Sequence, residues 1–447
     1  MIMGEAGSQE NSSRLLMQLE HILGSDPLID EVGFIHPTQL MALNGGSTGS
    51  LDVSAHGSQH SSDHVVETDI LQPNSSVFWI KDHKLAISTQ ALLPLHNAAK
   101  HAFTTALRQY KMLHNICTKT DRLVDETVSN RTLASENLPE SEVMKHSKSL
   151  LLLSCDFGSA WNARKLVLSK NQQLSLFMDE LLLSALILSY SPKSDFAWTH
   201  RRWVIKTISG KCPNMQEIVE KESKLVENIA EKLKMNYRAW CHRCWLIPYM
   251  AKEQMLSELT KSKQWAELHV ADNSCFHYRR KLMLRIIEDS CSRQLPEFCF
   301  NHVPDLYQMW KEELDWDETL IRRFIGREAL WVHRRFLSQC WIKHFVSDLQ
   351  GAFCHSKNHP GISHDVHSFM YNEMQLFHAC LTVLDDEFED GQAQATLAAA
   401  YILWVSKQIP QSQGIKLEDM LRELGGLKTL LNKLCPFRAQ LWDGLMS

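Results

Sequence analysis

The stretch Trp198-Thr199-His200-Arg201-Arg202 contains the pattern that decides the fold, an aromatic residue followed three positions later by arginine. The pattern occurs five times, in residues 161–165, 198–202, 240–244, 276–280 and 331–335. The steps between successive aromatic residues are 37, 42, 36 and 55 residues. A period of about 20 to 50 residues is typical of stacked supersecondary units. The sequence therefore predicts a repeat array rather than a globule built around a single site.

The segments between the copies have the spacing of amphipathic helices. One apolar set recurs at i, i+3, i+4, i+7, i+8 and i+11, namely Leu174, Phe177, Met178, Leu181, Leu182 and Ala185. Ser191-Pro192 ends that helix, and the next is predicted to begin near Ser194. Each unit should be a hairpin of helix A and helix B, with a degenerate sixth hairpin at about 368–407. The predicted fold class is all-α, a right-handed α-α superhelix (solenoid) of helix hairpins.

An amino-terminal segment, residues 1–83, precedes the predicted repeat domain, residues 84–447. Within it, residues 14–23 predict a short amphipathic helix, and the Gly- and Ser-rich residues at about 44–64 predict a disordered loop. That loop carries three histidines at four-residue spacing, His56, His60 and His64. They could bind a metal only on a stable helix, which the surrounding glycines and serines disfavour. We therefore favour a solvated loop over a metal site there.

The composition excludes several classes of function. The 447 residues carry a formal net charge of -5, so no basic excess indicates nucleic acid binding. The amino terminus lacks the pattern of a signal peptide, and no stretch approaches the roughly 18 apolar residues of a membrane span. We therefore expect a cytoplasmic protein that is not transmembrane. Twelve cysteines, scattered among helical segments, fit reduced thiols better than disulfides.

The aromatic residue and the arginine of each copy lie on one helix face, because residues three apart are neighbours there. The ring should fill the hairpin interior while the guanidinium directs its planar donors at the adjoining helix. We expect most of these residues to hold hairpins together, although several could instead face a ligand: Trp161, Arg164, Trp198, Arg201, Trp240, Arg243, Phe276, Arg279, Trp331 and Arg334. The residue two positions after the aromatic is the better candidate for contact with a neighbouring repeat: His200, His242, Tyr278 and His333.

The fullest copy resembles the Asn-Tyr-x-x-Trp-x-x-Arg-Arg repeats of protein prenyltransferase α subunits: Met235-Asn236-Tyr237-Arg238-Ala239-Trp240-Cys241-His242-Arg243. Residues 191–204 are similar to the corresponding repeat of the Rab geranylgeranyltransferase α subunit, and residues 435–442 are similar to that family's carboxyl terminus. The resemblance covers roughly residues 84–447, with five copies in order. It implies a crescent of antiparallel helix pairs wrapped around a β subunit, an α/α barrel that holds the catalytic zinc.

The resemblance further implies the α subunit of a heterodimeric, type III-like protein geranylgeranyltransferase, inactive alone and sharing the β subunit of the Rab enzyme. The reaction transfers a geranylgeranyl group from its diphosphate to a cysteine in the carboxyl-terminal region of an acceptor protein, such as a SNARE. No cofactor is expected in this chain; zinc is expected in the β subunit, with magnesium a further candidate ion. The alternative is a noncatalytic helical-repeat scaffold for protein–protein interaction.

By the same resemblance, Lys193 occupies the position of a lysine that reaches the isoprenoid diphosphate, which makes it the catalytic candidate. An ammonium there offsets the charge that grows on the leaving diphosphate, whereas the alternative is a solvated residue after a proline. Asp195 and Phe196 depart from the family's tyrosine and glutamine, and an acid at that position repels a diphosphate. Tyr237 and Arg238 are the candidate substrate-binding residues at the rim, with capping and packing as the alternative.

No metal site is predicted within this chain. Cys241-x-x-Cys244 has zinc-ligand spacing but lies inside a predicted helix B and lacks a second pair. The sequence contains no glycine-rich phosphate loop and no nucleophile elbow. The catalytic chemistry is therefore expected to come from the partner.

Overall fold

Apolar residues at helical spacing form helices along most of the described chain. The computed structural model describes residues 2–45, 77–120, 133–171, 173–292, 303–345, 366–381 and 389–409. Its helices are α1 (Ile2–Ser25), α2 (Pro37–Gly45), α3 (Leu92–Thr120), α4 (Leu133–Leu153), α5 (Gly158–Lys170), α6 (Leu174–Tyr190), α7 (Asp195–Ile208), α8 (Met215–Lys232), α9 (Tyr237–Leu246), α10 (Lys252–Leu268), α11 (Asn273–Ser292), α12 (Val303–Arg323), α13 (Glu328–His344), α14 (Val366–Leu381) and α15 (Glu389–Gln408). Short 3₁₀ turns lie at Thr89–Ala91 and Ile247–Tyr249.

The boundary between α6 and α7 shows how the sequence sets a hairpin. Helix α6 ends at Tyr190, directly before Ser191-Pro192, because proline cannot continue the helical hydrogen bonding. Helix α7 begins after Ser194, whose hydroxyl accepts a hydrogen bond from the amide of Ala197 at 3.4 Å. Serine is favoured at this capping position because it satisfies an amide that has no partner within the helix. The predicted end of one helix and start of the next are both confirmed.

The chain divides into two compact units, Met1–His242 and Arg243–Ser447. In the first unit, helices α4 and α5 form one hairpin and α6 and α7 form the next, with α5 against α7 and α6 against α8. In the second unit the hairpins are α10–α11, α12–α13 and α14–α15, and α13 contacts both α11 and α15. The pair α14–α15 is the predicted sixth hairpin. The predicted all-α class of helix-hairpin repeats is confirmed over the described residues.

A small sheet in the first unit spans residue 84, the boundary between the predicted amino-terminal segment and the predicted repeat domain. Strand β1 (Glu31–Ile35) pairs in parallel with β3 (Lys84–Ser88), and β2 (Phe78–Lys81) pairs with β3 in antiparallel fashion. The β2–β3 turn places Asp82 and His83 at φ values of 48° and 60°, as a two-residue hairpin turn requires. The signal was present in the sequence, since two short apolar runs flank the four polar residues Lys81-Asp82-His83-Lys84.

The buried face of α6 also differs from the predicted apolar face. Leu174 and Leu182 are 39% and 50% exposed, whereas Glu180 and Ser184 are fully buried. The helix is therefore rotated so that a carboxylate and a hydroxyl, rather than two leucines, face the interior. The reason lies in the arginines of the repeat, which need partners there.

Several sequence predictions concern residues that the structure does not describe. The predicted loop at about 44–64 lies outside the described residues from residue 46 onward, and so do its three histidines. The carboxyl-terminal stretch at residues 435–442 lies outside them as well. The predicted helix at residues 14–23 falls within α1 and is confirmed.

The sheet should contribute measurably to the stability of the first unit. Ile87 of β3 is completely buried, so Ile87→Ala removes core packing and should lower the free energy of unfolding by about 2 to 5 kcal/mol. Urea titration followed by circular dichroism measures the change. Ile80→Ala, at a position 45% exposed in the adjacent strand β2, is the matched control and should have a much smaller effect. Equal losses for the two variants would contradict this account of the sheet.

Candidate functional site

Each repeat is held by a buried ion pair between the phrase arginine on a B helix and a glutamate on the following A helix. The nitrogen–oxygen distances are 2.5 to 3.0 Å, and both side chains of every pair are nearly inaccessible to solvent. The five pairs are Arg164–Glu180, Arg201–Glu222, Arg243–Glu258, Arg279–Glu313 and Arg334–Glu373. A planar guanidinium fits a carboxylate with two parallel donors, which lysine cannot do.

The remaining donor group of the arginine anchors the preceding A helix. In the second copy, Nη1 of Arg201 donates to the carbonyl oxygen of Leu181 at 2.6 Å and to the hydroxyl of Ser184 at 2.9 Å. The same two acceptor types, 20 and 17 residues before the arginine, serve Arg164 and Arg279. Each of these arginines therefore ties its own hairpin together and joins it to the next A helix.

A histidine or tyrosine completes the arrangement. Nε2 of His200 lies 2.8 Å from Oε2 of Glu180, and the same contact joins His242 to Glu222 and His333 to Glu313, while Tyr278 donates to Glu258. The sequence separation is 20 residues in all four cases. The ring of His200 also packs on Trp161 of the previous copy, with centroids 4.6 Å apart. These residues therefore lie where successive repeats meet.

The buried charges keep the glutamates ionised and the histidines neutral. Burial opposes ionisation of Glu180 and Glu222, but the adjacent arginine and histidine outweigh it and lower each pKa to about 2. Burial lowers the pKa of His200 and His333 despite their glutamate partners. Nδ1 of these two imidazoles has no hydrogen-bond partner in the described part of the chain, so a proton there would be a buried, unsatisfied donor.

In the first two copies the tryptophan of the phrase closes the hairpin turn. Nε1 of Trp161 donates to the carbonyl oxygen of Cys155 at 2.8 Å, and Nε1 of Trp198 donates to that of Pro192 at 3.0 Å. In both cases the acceptor precedes the tryptophan by six residues and lies in the loop before helix B. The indole of Trp198 therefore fixes the loop that carries Lys193.

The predicted site residues lie on two neighbouring loops of the first unit. Lys193 is exposed between α6 and α7, and its ammonium has no ion-pair partner within the described ranges. Tyr237, at the start of α9, is 67% exposed. The amide of Asn236 donates to the carbonyl oxygen of Pro192 at 3.0 Å, which joins the two loops. The structure therefore brings Lys193 of the second copy and Tyr237 and Arg238 of the third copy to one exposed surface, which we call the rim.

Asp195, one of the two departures from the family pattern, forms an ion pair with Arg238. The guanidinium of Arg238 contacts the carboxylate of Asp195, and both side chains are largely exposed. Phe196, the other departure, is 44% exposed and lies against Gly158, at the start of α5. Asp195 is thus neutralised within the rim by a residue of the next repeat, a pairing that the sequence alone did not reveal.

Sequence reasoning missed the glutamates on which the repeats depend: Glu180, Glu222, Glu258, Glu313 and Glu373. Their signal was a fixed offset, since a glutamate precedes the histidine or tyrosine by 20 residues in four copies. In the sixth hairpin Tyr401 donates to Glu373 at 2.7 Å over a longer separation. Tyr401 therefore holds the place of the histidine, although the aromatic-to-arginine phrase is missing there.

Among the described residues, no group of three or more His, Cys, Asp or Glu side chains is arranged to hold a metal ion. Cys241 and Cys244 are half-buried thiols on α9. No described helix combines the length and the apolar composition needed to cross a bilayer.

Comparison with known sequences identifies the repeats. The family described as "Protein prenyltransferase alpha subunit repeat" matches residues 219–250 and 255–286. These two segments of the chain are similar to that repeat. Each match contains a buried glutamate, its histidine or tyrosine partner 20 residues later and the phrase arginine. Each matched segment therefore contains the interactions that hold the hairpins of this chain together.

Two proteins similar to this chain are named after this repeat. Protein prenyltransferase alpha subunit repeat-containing protein 1 of Danio rerio is 31% identical over 257 residues, 49% of this chain and 58% of that protein. The Homo sapiens protein of that name is 31% identical over 241 residues, 45% and 59% of the two chains. Geranylgeranyl transferase type-2 subunit alpha of Saccharomyces cerevisiae is 22% identical over 174 residues, 37% and 52% of the two chains. The matches span a little over half the length of these relatives, and the predicted resemblance to this repeat family is confirmed.

Removing one buried glutamate of a repeat should be strongly destabilising. Glu222→Gln leaves the buried Arg201 without a counter-charge, and we expect the free energy of unfolding to fall by about 3 to 5 kcal/mol in urea titrations. Glu217→Gln on the same helix is the control, because Glu217 is exposed and forms a surface ion pair with Lys221. We expect no measurable change for it, and similar losses in both variants would contradict a special role for the buried pair.

The stability of the repeats should fall in acid. Between the ordinary glutamate pKa of 4.5 and the folded value of about 2, the unfolded chain binds more protons than the folded one, so the free energy of unfolding falls as the pH drops. The neutral histidines act in the same direction below their ordinary pKa of 6.5. Urea midpoints at about pH 7.5, 5.5 and 4 measure the trend. His200→Gln should reduce the change in urea midpoint between about pH 7.5 and about pH 5.5. A midpoint that rises in acid would contradict the prediction.

Proposed function

We propose that this chain is the α subunit of a heterodimeric, type III-like protein geranylgeranyltransferase. In this role it assists transfer of a geranylgeranyl group from its diphosphate to a cysteine of an acceptor protein, and the partner is a prenyltransferase β subunit, that of the Rab enzyme. The observation that carries the proposal is the rim. Lys193 comes from the second repeat, Tyr237 and Arg238 come from the third, and the Asn236–Pro192 hydrogen bond joins their loops. Similarity to geranylgeranyl transferase type-2 subunit alpha supports it.

The chemistry of Lys193 suits a diphosphate. Its ammonium is exposed directly before the capped amino terminus of α7, where the amide groups and the helix dipole also favour negative charge. No carboxylate within the described residues pairs with it. In the proposed reaction Lys193 holds a diphosphate oxygen and offsets the charge that develops as the carbon–oxygen bond breaks.

The ion pair between Asp195 and Arg238 supports this role, although an acid lies close to Lys193. A free carboxylate two residues from Lys193 repels a diphosphate, but Asp195 contacts the guanidinium of Arg238. The pair is neutral as a unit, so the positive charge of Lys193 is left to act on the ligand. On this proposal Arg238 acts first as the counter-charge of Asp195, while Tyr237 offers an exposed aromatic ring to the substrate.

The metal belongs to the partner in this proposal. Zinc in the β subunit lowers the pKa of the acceptor thiol and so supplies the thiolate nucleophile. The contribution of this chain is to bind the diphosphate at Lys193 and to hold the rim loops in place through Trp198 and Asn236.

The second candidate is a noncatalytic scaffold that keeps the repeats for protein–protein interaction. Asp195 and Phe196 favour it, because they replace the tyrosine and the glutamine expected by resemblance at the rim. The buried arginine–glutamate pairs do not distinguish the two, since both functions require folded hairpins.

Reconstitution tests the proposal. We expect the purified chain alone to transfer nothing, while co-expression with the β subunit of the Rab enzyme gives a stable pair that transfers labelled geranylgeranyl groups to candidate cysteine proteins. In that pair Lys193→Ala should lower kcat by roughly tenfold or more, because transition-state charge is left unbalanced. Lys193→Arg should retain most of the turnover.

Lys206→Ala is the matched control and should leave kcat unchanged. Lys206 is an exposed lysine in the last turn of α7, whereas Lys193 lies before the first turn. Failure of the wild-type chain to form a pair would remove the proposed function. A stable pair without transfer would favour the scaffold, and equal turnover for Lys193→Ala and wild type would remove the role assigned to Lys193.

A further inference from the structure

A second basic residue follows the phrase arginine in four copies, and its surroundings differ sharply from those of the first. The residues are Lys165, Arg202, Arg280 and Arg335. All four side chains are partly buried, and burial is the principal cause that lowers the pKa of each. None forms a salt bridge with a carboxylate in the described part of the chain. The repeat thus places one paired and one unpaired cation side by side.

In the first unit two of these cations lie on neighbouring B helices. The ammonium of Lys165 on α5 lies 5.8 Å from the centroid of the Trp203 ring on α7, so the two residues share one surface. Among the described residues, Nη2 of Arg202 donates to the hydroxyl of Thr199, at 3.2 Å, and to no other group. Within the described ranges, the Cys241 side chain is the group that raises the pKa of Arg202 against burial, and no carboxylate shifts the pKa of either cation.

The surface around these cations is apolar and rigid. Trp203 is half-buried and is held by ring contacts with Phe177 and His200, with centroids 6.0 and 5.6 Å apart. Leu166, beside Lys165, is 39% exposed. Tryptophan and arginine on a rigid surface are the residues that contribute most to protein–protein binding. We call Lys165, Leu166, Arg202 and Trp203 the basic–aromatic face.

The second unit repeats the arrangement within its own hairpins. Nη1 of Arg280 is buried without a hydrogen-bond partner among the described residues, and burial lowers the pKa of this guanidinium to about 10. The guanidinium of Arg335 lies 5.7 Å from the ring centroid of Trp404, and its Nε is likewise unsatisfied there. Recurrence in two separately packed units indicates a property of the repeat rather than an accident of one helix.

A partly desolvated cation without a counter-charge is unfavourable unless something supplies the missing acceptors. We propose that the basic–aromatic face is a docking surface for a partner protein that presents aspartate and glutamate side chains. The identity of that partner as the prenyltransferase β subunit rests on the proposed function. Fixed cations on rigid helices, roughly one on each B helix, suit fixed carboxylates on a folded surface better than an anionic bilayer, which requires a denser basic cluster.

Charge reversal on the full chain tests the proposal. The double variant Lys165→Glu with Arg202→Glu is compared with Lys221→Glu and Lys224→Glu, which reverse two exposed lysines of α8 that already have glutamate partners. Both variants change the net charge by the same amount. We expect the Kd for the co-expressed β subunit to rise about tenfold or more for the first variant and less than about twofold for the control. Higher salt should weaken wild-type binding and narrow this difference.

The double variant Lys165→Gln with Arg202→Gln is the control for misfolding, because it removes charge without introducing carboxylates. It should raise the Kd by an intermediate factor and leave the circular dichroism melting curve unchanged. Equal affinity of all variants would overturn the docking face while leaving the proposed function intact. Absence of any complex with wild-type protein would overturn both. Binding of wild type, but not of the charge-reversed variant, to phosphatidylserine vesicles in place of the β subunit would assign the face to a membrane and overturn the proposal.

Discussion

The buried arginine–glutamate pair is the interaction on which the rest of the structure depends. A guanidinium can satisfy a carboxylate, a backbone carbonyl and a hydroxyl at once, so Arg201 reaches Glu222, Leu181 and Ser184 from a single position. Burying these charges costs free energy unless every donor and acceptor is matched. The requirement fixes how each B helix lies against the A helices on either side, because even a small rotation leaves a charge unpaired.

This constraint explains why the repeat tolerates variation elsewhere. The position of His200 can hold tyrosine, as at Tyr278, because either side chain donates to the glutamate. In the fifth copy Asp317 replaces the serine and lies 3.8 Å from Arg334. The loops between the helices lie outside the network of charges and are free to differ. The candidate site lies on two of these loops, and the internal regularity of the hairpins holds them next to each other through Pro192 and Asn236.

The sequence was a good guide to the helices and a partial guide to the site. Repeated phrases and proline positions predicted the first hairpins. The hairpin α14–α15 was predicted as well, although the phrase itself is absent there. The strand at Lys84–Ser88 was missed because its short run of three apolar residues, beside a long helical pattern, carries little periodicity of its own. On α6 the predicted apolar face included Leu182, which is exposed, since hydrophobicity alone does not reveal that Glu180 must face the interior. Lys193, Tyr237 and Arg238 were chosen by resemblance, and the contact between Arg238 and Asp195 came only from the structure.

The sequence by itself determined the repeat, its helical class and its length, because aromatic and arginine residues at fixed spacing are local features of a helix. It also contained the 20-residue offset between glutamate and histidine, although no local rule gives that offset a meaning. Only the tertiary structure decided which charges are paired. Pairing depends on distances between helices that lie far apart in sequence, and a carboxylate such as Glu222 stays ionised in the interior solely because Arg201 and His242 converge on it.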